Sequence, residues 1–515
     1  MDPVLERTWN KLTDHIGRMD ALAGARSLLE WDQLCMMPSK GATGRGHQLA
    51  ALAAIYHQML RAPELGRLLQ RLEHALEGLE PQQAPVQRGC LRNLRRERGR
   101  AERIPVKLVE ALERARTRGH QAWLEARKAQ SYAVFQPALT ELVGLVSEVS
   151  ACLVEPGDHP YDALMDAFEP GARVAQVGPL LERLAGELTP LLDGLRDAGW
   201  PDPAAGVQLA MPVAGQRELS HALITAVGFD LDAGRFDDAV HPFTCGMDPG
   251  DVRITARYNA DDFLTGFGAA LHEAGHGLYE QGVPAALVGT GTGRLLSTSL
   301  HESQSRFWEN MVGRSEPFCR WLSELVAARH PELSPGADAL YRASNRVQPG
   351  LIRVDADEVT YNLHILVRYR LEVGLIEGSL LPDQLEDAWN DAYERLLGIR
   401  PTTPTQGVLQ DMHWAEGLFG YFPTYTLGTL YAASLAEAAQ ADLPELWSDV
   451  AAGRFAPLLG WLRDKVHSRA ALLPGGDVFT SAAPGRDPVR DFMAHLWERH
   501  GVLHGLAHPA GAGTS

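Results

Sequence analysis

The chain has 515 residues, of which 45% are hydrophobic and 22% charged, which is too apolar for an intrinsically disordered chain and long enough to bury a large core. Its 48 basic and 65 acidic residues leave a net charge of −17. That balance lacks the basic footprint of a nucleic-acid binder and the cationic face that anionic membranes attract.

The opening MDPVLERTWNKL carries early acids and no apolar core, so no secretory leader is expected. No run of about 18 apolar residues offers a membrane span. Cys35, Cys90, Cys152, Cys245 and Cys319 are widely spaced and form no CxxC pair, which fits a reducing compartment. The expectation is a soluble, cytoplasmic protein.

Apolar residues at three- and four-residue spacing predict helices over 4–30, 46–75, 103–130, 132–153, 174–199 and 216–228. The same spacing continues over 261–281, 295–331, 336–347, 360–378, 382–397 and 427–470. Strand-like alternation is scarce, with short candidates near 206–213 and 251–258 that suggest a two- or three-stranded element. Pro/Gly punctuation near 155–160, 200–206, 241–250, 282–294 and 400–408 is too short for an interdomain linker, and no internal repeat is visible. The reading is an all-α fold in a single large helical unit, residues 1–504, with two lobes around a cleft and a Gly/Ala-rich frayed tail over 505–515.

Residues 261–282 read DDFLTGFGAALHEAGHGLYEQG. Asp261 or Asp262 suits a helix N-cap, and Gly282 followed by Pro284 suits its stop. Phe263, Phe267, Leu271 and Leu278 form an apolar stripe. Within this helix His272 and His276 are four residues apart and therefore share a face, so both imidazoles can reach one zinc ion. Glu273 sits beside that face, where it can act as general base on a metal-bound water. A helix with two structural histidines is the plain alternative, but two His and a Glu near its buried side are costly unless used. Catalytic zinc takes a third protein ligand and keeps a position open. Glu302, in LSTSLHESQSRFWENMV, lies 30 residues after His272, and its neighbour His301 is the rival; spacing favours Glu302.

Further motifs follow in order along nearly the whole chain: Leu29-Glu30-Trp31-Asp32-Gln33 with Met37-Pro38, Tyr161-Asp162-Ala163-Leu164 with Glu169-Pro170-Gly171, His241-Pro242-Phe243 and Asp251-Val252-Arg253-Ile254-Thr255. After the HEAGH helix come His301-Glu302-Ser303-Gln304, Ile352-Arg353-Val354-Asp355-Ala356-Asp357, Gly407-Val408-Leu409-Gln410-Asp411-Met412-His413-Trp414 and Gly420-Tyr421-Phe422-Pro423-Thr424-Tyr425. With these motifs the chain resembles the thermostable zinc carboxypeptidases of the carboxypeptidase Taq family. One small departure is Asn362, which stands after Tyr361 where the family pattern has Pro.

The resemblance implies a helical fold similar to neurolysin and angiotensin-converting enzyme, with a deep cleft and a very small β element, and it implies a homodimer. It implies metal ligands at His272, His276 and Glu302, acid/base work at Glu273, and one zinc ion per subunit that cobalt or manganese can replace. Relatives of that fold use a downstream His and Tyr on the oxyanion, which points to His413 and Tyr425, with Tyr421 as a close rival. A carboxypeptidase binds a free carboxylate, a task suited to Arg; Arg353 is the first choice and Arg253 the second. For both, an internal salt bridge is the competing reading, since Arg253 follows Asp251 and Arg353 precedes Asp355 and Asp357. Asp357, Glu358 and Asp411 are candidates to orient the metal ligands.

The activity implied is release of single C-terminal amino acids from peptides with broad specificity. An endo-acting or dipeptide-releasing metallo-oligopeptidase on the same fold is the alternative. A non-catalytic helical binding protein is a weaker one, because it has no need of Glu273.

Overall fold

The computed structural model describes residues 3–80, 82–333 and 335–506; of the tail expected from 505, all but its first two residues lie outside them. Among the described residues helices predominate, with a single three-stranded sheet. The chain divides into two compact units, each assembled from three segments. One takes Met1–Glu102, Gly206–Ser344 and Tyr431–Arg486; the other takes Arg103–Ala205, Asn345–Leu430 and Asp487–Ser515.

The first unit opens on a 33-residue helix, Pro3–Cys35. Its Leu5, Leu12, Ile16 and Met19 recur at helical spacing and are buried against Leu65, Leu68, Leu69, Leu72 and Leu76. The helix expected over 46–75 is two, Ala42–Arg61 and Pro63–Leu76. Pro63 removes an N–H and forces Ala62 out of the helical region (φ −54°, ψ 132°), so the chain breaks there. Helix Pro85–Arg103 goes beyond the expected elements, because its apolar face is reduced to Cys90, Leu94 and their neighbours among seven arginines.

The sheet consists of β1 (Gly234–Asp238), β2 (Thr244–Asp248) and β3 (Asp251–Ala256), in the order β1-β3-β2. β1 runs parallel to β3, and β2 antiparallel to it. β3 is the expected strand; its Val252, Ile254 and Ala256 are fully buried. Residues 206–213 form no strand. They run beside the start of the metal-motif helix, with Met211 N donating to Ala260 O at 2.9 Å and Phe263 N to Leu209 O at 3.0 Å. β1 (GRFDD) and β2 (TCGMD) escape sequence reading because charge and glycine interrupt their alternation.

The second unit is built on helix Tyr361–Glu377, which is buried on almost every side. Such a helix has no polar face to offer solvent, so its His364, Arg368 and Glu372 must find partners inside. Helices Val106–Ala129, Tyr132–Leu153, Val174–Asp197 and Leu385–Leu397 belong to the same unit.

Candidate metal centre and its surroundings

The helix Phe263–Gln281 is capped by Asp262, whose side chain accepts from Leu264 N, and its apolar stripe Phe263, Phe267, Leu271 and Leu278 is buried. This fixes the opposite side of the same turns, where the His272 and His276 rings stand 5.0 Å apart. A second helix, Thr298–Arg306, is capped by Ser297 and carries Glu302. Glu302 Oε2 lies 3.8 Å from His272 Nε2 and 3.4 Å from His276 Nε2. One donor atom from each of His272, His276 and Glu302 falls within 4.8 Å of the others.

His301, the rival on spacing, is on the far side of His276: the two Nδ1 atoms are 2.6 Å apart. His272 Nδ1 meets Glu309 Oε2 at 2.8 Å. Glu309 arrives there because the second helix runs on into a π-helical segment, Phe307–Val312, a form frequent at functional sites. Both imidazoles thus engage outward through Nδ1 and present Nε2 to Glu302.

The electrostatics ask for a cation. Glu273, Glu302 and Glu309 converge on the two imidazoles. Arg306 answers through Nε to Glu302 Oε1 at 2.7 Å and Nη1 to Glu309 Oε2 at 3.2 Å, and Arg314 reaches Glu309 Oε1 at 3.5 Å. Burial pushes His272 down, yet the charges of Glu302, Glu309 and Glu273 outweigh it and hold the group up at about 9. Burial and the neighbouring His301 and His272 push His276 down to about 3. Burial pushes Glu302 up, but Arg306 and the two imidazoles keep it well below the usual carboxylate range. Two imidazole nitrogens and a carboxylate oxygen are the donor set of a catalytic zinc site, and they fit a divalent ion of that kind.

Glu273 is buried on the same helix. Its Oε2 accepts from Thr244 Oγ1, on β2, at 2.7 Å. Burial is the first cause that pushes its carboxyl above the ordinary range.

Arg353, His413 and Tyr425 belong to the second unit and form one cluster there. The Arg353 guanidinium is buried, donating through Nε (3.1 Å) and Nη2 (2.8 Å) to Asp411 Oδ1 and through Nη1 to Tyr361 OH at 3.2 Å. Its charged centre lies 5.0 Å from the Tyr425 ring centroid. Arg368, on helix Tyr361–Glu377, donates to the other oxygen, Asp411 Oδ2, at 2.6 Å. Two guanidiniums therefore share one carboxylate, and the cluster keeps a positive surplus. His413 Nε2 is 3.3 Å from Tyr425 OH, and burial pushes the His413 ring down to about 4, so it is neutral at ordinary pH. Tyr421 packs edge-on against Phe168 and lies 5.2 Å from the Tyr425 ring.

Arg253 joins neither group. It makes a two-pronged pair with Asp251 (3.0 and 3.1 Å) and stacks 4.3 Å over the Trp31 ring. The residues considered for orienting the ligands are engaged elsewhere. Asp357 accepts from Val359 N, Thr360 N and Thr360 Oγ1, Asp411 holds the arginines, and Glu358 meets His495, Arg499 and His500. Glu309 and His301 stand in that place instead. Glu309 carried a weak signal, being seven residues after Glu302 and so close to two helical turns on. Thr244 and Arg368 carried none, since partners distant in sequence leave no pattern.

A buried helix bearing His272, Glu273 and His276, closed by a carboxylate from a second helix, defines a metallopeptidase of helical architecture. A family model described as carboxypeptidase Taq (M32) metallopeptidase matches residues 11–500. The chain is 41% identical over 498 residues to "Thermostable carboxypeptidase 1" of Thermus thermophilus, covering 94% of this chain and 96% of that one. It is 32% identical to "Carboxypeptidase 1" of Bacillus subtilis, over 95% and 97% of the two chains. The crystal structure of a carboxypeptidase of the same family from Deinococcus radiodurans superposes with a TM-score of 0.91 at 34% identity, covering 97% of this chain and all of that one. The chain belongs to the carboxypeptidase Taq family: it is a metallocarboxypeptidase, a hydrolase of peptides.

Proposed function

We propose that the chain is a zinc enzyme that releases single amino acids from the free C-terminus of peptides with broad specificity, using Glu273 as general base and acid. The observation that carries this reading is the convergence of His272 Nε2, His276 Nε2 and Glu302 Oε2 beside buried Glu273. A zinc ion held by those three donors supplies Lewis-acid polarisation of the scissile carbonyl and lowers the pKa of water, and cobalt or manganese can do the same.

The chain's own groups do the rest. The Glu273 carboxylate, raised by burial and aimed by Thr244, takes a proton from the attacking water and later delivers it to the leaving amine nitrogen. His413, kept neutral, and Tyr425 are the donors assigned to the oxyanion. Arg353 is assigned the substrate carboxylate, supported by the surplus guanidinium around Asp411. Arg253 is the weaker candidate, because Asp251 matches its charge one to one, whereas two guanidiniums share Asp411. The protein in this reading is a cytoplasmic homodimer. The family resemblance supports the dimer, and five scattered cysteines, none in a disulfide, support a reducing compartment.

The test is metal removal and return. Chelator-treated enzyme is expected to lose activity on a blocked dipeptide and regain it with zinc. The Glu273→Gln variant is expected to bind zinc and stay inactive. Full activity in either the metal-free enzyme or the variant contradicts the proposal.

A further inference from the structure

Each metal-facing imidazole has an outward partner, and the two partners differ in kind. His272 meets a carboxylate directly. His276 meets another imidazole, His301, whose Nε2 in turn lies 3.1 Å from Glu280 Oε1. We infer that Glu280, acting through His301, is a positioning residue that holds His276 in the one tautomer able to bind metal; the inference rests on the metal reading above.

The argument is a proton count along the chain of hydrogen bonds. The nitrogen of His276 that faces Glu302 is Nε2, so metal binding needs its lone pair and places the ring proton on Nδ1. His301 Nδ1 is 2.6 Å away, and two protonated nitrogens cannot stand that close. His301 must therefore accept at Nδ1 and carry its own proton on Nε2. A carboxylate only accepts, so Glu280 fixes that proton and gives the whole chain one direction, His276 to His301 to Glu280. With the carboxylate removed, nothing keeps the single ring proton of His301 on Nε2, and it can stand on Nδ1 instead. That reversal drives the His276 proton onto Nε2 and closes the lone pair.

The surroundings are shaped for this carboxylate. Glu273 and Glu280 are seven residues apart, two turns of one helix. Thr244 and Gly246 are two apart on β2 and thus on one face of the strand. Thr244 meets Glu273, and a Cβ on Gly246 would stand 2.8 Å from the Glu280 carboxyl carbon and Oε2. One strand therefore backs both the proposed base and the end of the relay, and a side chain at 246 would displace the Glu280 carboxylate from its place.

Zinc affinity, measured by competition with a chromophoric chelator, tests the inference in Glu280→Leu, Glu280→Gln and His276→Ala. Leu removes the acceptor and is expected to weaken zinc binding by about 10–100-fold. Gln keeps an acceptor but adds a donor, and is expected to fall between. The melting temperature of the metal-free protein should not change in either. Nitrogen-15 imidazole spectra should show His301 protonated at Nε2 in the parent and mixed in the Leu variant; should that variant not fold, Gln carries both measurements. Loss of zinc in His276→Ala with parent-like affinity in both Glu280 variants overturns the inference alone. An affinity loss matched by a drop in metal-free melting temperature, with the His301 tautomer unchanged, overturns it as well. Parent-like zinc binding in His276→Ala removes the metal reading itself, and the inference with it.

Discussion

Gly275, inside the HEAGH motif, faces the carbonyl oxygen of Gln304 so closely that a Cβ added to it would stand 2.5 Å from that oxygen and 2.7 Å from Ser305 Cα. The helix with the two imidazoles and the helix with Glu302 touch here through backbone. Backbone cannot retreat as a flexible side chain can, so a methyl group must push the second helix away. The expected result for Gly275→Ala is a folded protein destabilised by about 1–3 kcal/mol, with zinc affinity lowered because Glu302 moves off the two Nε2 atoms. Calorimetry and zinc competition check this; unchanged values in both mean that the helices separate freely at this point.

Glu273 and Thr244 separate chemistry from positioning. Glu273→Gln is expected to lower kcat by about 10²–10⁴-fold with zinc stoichiometry intact. Thr244→Val removes the hydroxyl that meets the Glu273 carboxylate and backbone oxygen and is expected to lower kcat about tenfold at unchanged KM, the order of one hydrogen bond to a charged group. Steady-state kinetics with metal analysis distinguish the two.

Arg353 shares Asp411 with Arg368, so its replacement leaves that carboxylate paired. Arg353→Lys keeps a charge but loses the planar two-pronged fork. Its expected effect is a KM at least about tenfold higher on peptides with a free C-terminus. An unaltered KM assigns Arg353 to the internal pair alone.

Glu372 gives the second unit a pH dependence. The side chain is fully buried; its oxygens accept from Trp414 Nε1 at 2.7 Å, Gly420 N at 2.9 Å and the Tyr161 hydroxyl. Burial, outweighing these donors, pushes the carboxyl up to about 7 from 4.5. The folded state thus holds the proton more tightly than the unfolded chain. The group's stabilisation is complete below pH 4.5 and is lost as pH rises to about 7, a change on the order of 3 kcal/mol. Denaturant unfolding of parent and Glu372→Gln across that window should diverge as pH rises, the variant lacking this slope; parallel curves contradict the assignment.

The helical class was legible because most helices carry an apolar stripe, as Leu5, Leu12, Ile16 and Met19 do. It failed where the stripe is thin, in the arginine-rich helix Pro85–Arg103, and where strands are short and charged, as in β1. In the candidate site the same division holds. His272, Glu273 and His276 are written in one helical turn, and Glu302 could be reached by spacing. The partners on the outer nitrogens are a matter of three-dimensional packing. Glu309 depends on a π-helical segment, and His301, read as a rival ligand, is turned to the far side of His276. Arg353 was suspected of pairing with Asp355 or Asp357, yet its partner is Asp411, 58 residues away.

The most direct test of the central claim is a time course, followed by mass spectrometry, of one peptide as the free acid and as its C-terminal amide, with the zinc-loaded enzyme. A ladder that loses one residue at a time from the free acid, with the amide intact, is the predicted result. Internal cleavage, or equal cleavage of both forms, contradicts a carboxypeptidase that reads the free C-terminus.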